Sequence, residues 1–186
     1  MKHLRLAYSL LFSIFFLSSN AQKSELIKSL EISGIRGIQI SKTFPILKSG
    51  FQLNGIVGKK VSPFFEIGLG VGYMQLESES FTPLFIQLKG NKKAKENSFF
   101  FSTAIGFSKG VSEDFSANEN TEFEGGVYVA PKLGYMYVVN EKLMFYCSSS
   151  YTVQKAELHN LHEGVVIHTE PLTIDLFSIS IGFNIY

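Results

Sequence analysis

Three histidines and three carboxylates crowd one stretch near the end of the chain: His159, His162 and His168 with Glu157, Glu163 and Glu170. A His-x-x-His pair beside carboxylates could hold a transition-metal ion. The spacing is loose and no second pair fixes a coordination geometry. The expectation is therefore a solvated loop, with the three histidines as weak candidates for metal ligands. The same histidines could serve a rim enzyme, with Ser149 or Ser150 as nucleophile and a nearby acid. A nucleophile needs its base within hydrogen-bond reach, and nothing in the sequence marks either serine as activated. No catalytic residue and no cofactor are expected.

Two further charge groups stand out. Glu113, Asp114, Glu119, Glu122 and Glu124 follow one another without a basic residue between them, whereas Lys59, Lys60, Lys92, Lys93 and Lys95 gather elsewhere. An acidic loop of this kind could take a divalent cation or a basic partner. It lacks the spacing of a calcium-binding loop, and ordinary solvation explains it. Glu66, Lys89 and Lys132 differ from these because they interrupt stretches that are otherwise apolar or small. If they are enclosed together they need one another, since an unpaired buried charge costs several kcal/mol. Glu66 is expected to pair with at least one of the lysines.

The elements that must position these residues follow from the rest of the chain. Lys2 and Arg5 precede a short apolar run ending in Ser18-Ser19-Asn20-Ala21. This pattern reads as a secretory signal peptide over 1–21, cleaved before Gln22. Loss of Lys2 and Arg5 turns the formal charge from +1 to slightly negative, and no nucleic-acid partner is suggested. The single cysteine, Cys147, permits no internal disulfide. Residues 22–186 form one domain.

Beyond the leader, alternation with period two replaces helical periodicity. In "FEIGLGVGYMQL" the residues Phe65, Ile67, Leu69, Val71 and Tyr73 face Glu66, Gly68, Gly70 and Gly72 across the strand. In "SFFFSTAIGFSKG" Phe99, Phe101, Ile105 and Phe107 oppose Ser102, Ala104, Gly106 and Ser108. A soluble sheet hides its apolar face and wets the other; here the second face is nearly bare. Strands greasy outside and small or polar inside suit a bilayer, where only a closed barrel satisfies every backbone group. Eight strands are expected, over 29–41, 49–58, 63–76, 80–90, 97–110, 123–139, 142–155 and 171–186. The predicted fold is all-β: an eight-stranded antiparallel up-and-down transmembrane β-barrel preceded by a cleaved signal peptide. Pro131 falls inside the sixth strand, where it calls for a bulge or lost pairing. Arg36 shares the parity of Ile38 and Ile40, which requires either a register shift or a place at the membrane edge.

"SPFFEIGLGVGY", "FTPLFIQLKGN" and "GGVYVAPKLGYMY" resemble strands three, four and six of the small outer-membrane β-barrel proteins of Bacteroidetes. That resemblance implies an outer-membrane location and makes Pro131 a family feature, but it implies no chemistry. The closing "SISIGFNIY" is similar to the signal read by the barrel-assembly machinery, although Tyr186 is out of phase with Ile185, Phe183, Ile181 and Ile179. The expected partners are outer-membrane lipid, the assembly machinery and an unknown surface or envelope partner. The expected role is structural or interactive, with outer loops carried on a closed barrel obstructed by Phe64, Met74, Phe100, Tyr128, Met136 and Tyr146. The alternatives are a lipocalin-like soluble barrel for an apolar ligand and a lipid-modifying rim enzyme.

Overall fold

The alternation becomes eight strands: β1 (Leu26–Ile40), β2 (Pro45–Ser62), β3 (Phe65–Leu76), β4 (Ser80–Asn91), β5 (Ser98–Val111), β6 (Thr121–Val138), β7 (Leu143–His162) and β8 (Val165–Ile185). They come from a computed structural model that describes residues 26–40, 45–77, 79–91, 96–111, 121–162 and 165–186. The expected leader, Glu113, Asp114, Glu119, Glu163 and the lysines at 92, 93 and 95 lie outside the described residues. Each strand pairs antiparallel with the next, and β1 pairs with β8 to close the barrel.

The pairings also fix the tilt. Followed once around the wall they run Ser29, Ile56, Gly70, Phe85, Gly106, Tyr128, Gln154 and Ile174, then return to β1 at Gln39, ten residues from the start. For eight strands that stagger tilts them by roughly 40° and leaves an interior only wide enough for side chains.

Alternation sorts the faces as the sequence suggested. Leu69, Leu84, Phe107, Leu133 and Ile179 are exposed outside, and Glu66, Met74, Ser102, Tyr128 and Lys132 are buried inside. Aromatic rings gather at two levels of the exterior. Phe51 and Tyr73 meet toward the loop end, while Phe99 with Tyr135 and Phe145 with Phe183 meet toward the turn end. Two such girdles around an apolar belt mark the interfaces of a membrane-spanning barrel. Arg36 stays in continuous register, exposed, opposite Ser49 and Phe177 near the loop end of β1. It therefore lies at the belt's edge, with no slip in β1.

Several expected boundaries are corrected. β2, β7 and β8 all run further at the loop end, so 156–162 pairs with 165–172 where a solvated loop was expected. His159 and His162 lie on β7 and His168 on β8, and Glu122 and Glu124 belong to β6. The extension is sustained by cross-strand pairs such as Leu158↔Glu170 and His159↔Thr169, in a segment rich in β-branched residues. Phe64 is not in the lumen: the chain turns at 63–64, leaving it exposed. At Pro131 the pairing with β5 is regular, whereas that with β7 runs to Val129↔Val153 and resumes at Lys132↔Ser150. A separate register shift lies between Gly125 and Tyr128.

Candidate functional site

The lumen is organised by a residue absent from the expected charge group. Glu31 has the parity of Ser29 and Ser33 on β1, and all three point inward. Its carboxylate accepts hydrogen bonds from Lys132 Nζ at 2.5 Å, Asn54 Nδ2 at 3.1 Å and Tyr146 OH at 3.1 Å. Lys132 thus pairs with Glu31, not with Glu66. The reason is tilt: positions on β3 and β6 that share an inward face stand at different heights, which parity cannot reveal.

Glu66 lies nearer the turn end, directly across from Lys89, whose Nζ is 3.5 Å from the carboxylate. Tyr186 OH donates to the other Glu66 oxygen at 3.1 Å, and Lys60 sits over the Tyr186 ring at 4.5 Å. The inward parity of the last residue, out of phase with the lipid-facing set, lets Tyr186 close the turn end. Lys89 also lies 4.9 Å from the centre of the Phe100 ring, a cation–π contact. At the loop end, Lys48 Nζ donates to Glu79 at 2.6 Å, both side chains buried. That pair too was absent from the sequence reading; Lys48 alternates with exposed Leu47, which was its available signal.

Apolar clusters bracket the Glu31 network. Met74, Leu76, Phe81, Ile174 and Leu176 fill the loop side, and Phe100, Met136, Met144 and Tyr146 the turn side. The inner-face glycines admit these rings. A Cβ at Gly70 would stand 2.3 Å from the Phe85 ring, and one at Gly134 2.5 Å from Phe100. A cavity of about 10 Å³ lined by Glu31, Asn54, Tyr128 and Lys132 has room for roughly one water molecule. The described lumen is packed, with charges paired across it.

Outside the lumen, His159 Nε2 lies 3.0 Å from Glu124 and its Nδ1 2.9 Å from Thr169 Oγ1. His168, opposite Asn160 on β8, is exposed; the side chains of Glu122 and His162 are outside the described set. Ser150 Oγ is bonded to Ser178 inside the barrel at 2.6 Å, and Ser149 has the outward parity. Neither serine reaches His159, which lies ten residues beyond Ser149 and nine beyond Ser150 on the same strand and so roughly 30 Å away.

No protein family matches the chain, and no curated protein matches it by sequence. Solved structures do match in shape. Neisserial surface protein A (NspA) superposes with a TM-score of 0.61 at 8% identity, covering 86% of this chain and 96% of its own. The outer membrane protein OprG from Pseudomonas aeruginosa gives 0.55 at 10% identity, covering 88% and 96%. The fold is that of the outer-membrane β-barrels, and the lipid-facing belt with its girdles agrees with it.

Proposed function

We propose that this protein resides in the outer membrane of a Gram-negative bacterium as a closed scaffold that presents its loop end for contact at the cell surface. The observation that carries the reading is the lumen: paired charges at Glu31–Lys132, Glu66–Lys89 and Lys48–Glu79 between apolar clusters. Among the described residues, a lumen filled in this way leaves little room for a water column or an apolar ligand, which weighs against transport and against a lipocalin-like role. With Ser149 and Ser150 remote from His159, rim catalysis by those residues has no geometric support. Strands β6, β7 and β8, running on past the last β1–β8 pair at Ile40↔Thr173, provide the raised surface for a partner. The motif resemblance favours a Bacteroidetes origin, and the alternating final strand suits recognition by the assembly machinery.

The test is an epitope inserted between Glu163 and Gly164 of the full chain. Antibody staining of intact cells, with recovery of the protein only in detergent-extracted membranes, is expected. Recovery in the soluble periplasmic fraction, or staining only after lysis, would overturn the reading.

A further inference from the structure

The register shift in β6 creates a site that strand alternation alone would not. Without it, Glu124 would share the inward parity of Tyr128 and enter the lumen. The extra residue between Gly125 and Tyr128 reverses that, so Gly125 pairs with Ala156 and Glu124 stands directly opposite Glu157 on the outer face. Bulges commonly re-aim a side chain in this way. Here the result places two carboxylates across from each other, which destabilises a strand pair unless something offsets the repulsion.

His159 joins them from the same face of β7. Its Nε2 points at Glu124, and the Thr169 hydroxyl on β8 holds Nδ1. One ligand atom from each of Glu124, Glu157 and His159 lies within 4.8 Å of the others. A shared ion with bonds of about 2.0–2.2 Å needs the ligands closer, and the side chains of both Glu124 and Glu157 are exposed and free to rotate toward His159.

We propose that Glu124, Glu157 and His159 bind a divalent transition-metal ion of the zinc class. One imidazole and two carboxylates form a mixed nitrogen and oxygen set, whereas calcium and magnesium favour oxygen alone. The Thr169 hydroxyl fills the orienting role that metal-bound histidines require at their second nitrogen. The ion would neutralise the carboxylate pair and clamp β6 to β7 above the belt. Its fourth position would be open to water or to a donor from a surface partner. This set differs from the histidine trio suggested by sequence spacing, and it rests on the local geometry whether or not the loop end faces outward.

The experiment is calorimetric titration of the full, untagged, chelator-treated barrel in detergent with zinc chloride. One equivalent is expected to bind, with affinity at least tenfold weaker in His159→Ala, Glu157→Gln and Glu124→Gln and unchanged in His168→Ala. Zinc should raise the unfolding temperature of the parent but not of Glu157→Gln, and calcium at equal concentration should not compete. Circular dichroism verifies that each variant is folded. Absence of binding, binding that survives His159→Ala, loss in His168→Ala, or equal competition by calcium would each overturn the proposal.

Discussion

Replacing Lys132 by methionine removes the cation facing Glu31 but leaves the carboxylate its bonds from Asn54 and Tyr146. Replacing Glu31 by leucine does more harm, because it strands the Lys132 ammonium and deprives Asn54 Nδ2 and Tyr146 OH of their acceptor. Breaking a buried ion pair costs about 3–5 kcal/mol. Each neutral donor left unsatisfied adds about 1–3 kcal/mol. Lys132→Met should therefore fall near the lower end, about 3 kcal/mol, and Glu31→Leu at 5 kcal/mol or more by the same reckoning. The double variant, apolar on both sides, should be more stable than Glu31→Leu alone. Denaturant unfolding from lipid vesicles, followed by far-ultraviolet circular dichroism and tyrosine emission, reads all three; the chain has eight tyrosines and no tryptophan. Single variants that each cost under about 1 kcal/mol, or a double variant whose cost is the sum of the singles, would refute the reasoning.

Gly134→Val should cost about 1–3 kcal/mol in the same assay, because the new Cβ meets the Phe100 ring and the Cys147 carbonyl. Gly34→Ala, with nothing within 4 Å of the added methyl, should stay within about 0.5 kcal/mol of the parent. On the exterior, Leu69→Lys at mid-belt should cost about 2–4 kcal/mol in vesicles, whereas Arg36→Leu at the edge should change stability by under about 1 kcal/mol. Equal effects at those two positions would contradict the assigned belt.

Period-two alternation between turn-like segments made all eight strands legible, and glycine opposite bulky apolar residues revealed which face meets lipid. Ends were less legible, because the β7 arm past Ala156 carries Glu157, His159, Asn160 and His162 and reads as loop until its cross-strand pairing is known. Charge partners were legible only where two strands are neighbours: Glu66 and Lys89 sit directly across from each other. Glu31 and Lys132 are brought together across the lumen by stagger and tilt, which no local pattern encodes. Even so, Glu31 between Leu30 and Ile32 carried an inward parity that pointed to burial. Glu124 shows the reverse problem, since an unforeseen bulge inverted its parity and moved it beside His159.

The closed lumen is the central claim, and conductance tests it most directly. Purified monomer reconstituted into a planar bilayer is expected to give no stepwise current, because paired charges and apolar clusters obstruct the described lumen at several levels. Stable, stepwise conductance from the monomer, changed by substitution at Glu31 or Lys132 and abolished by blocking the lumen, would show a pore and contradict the account.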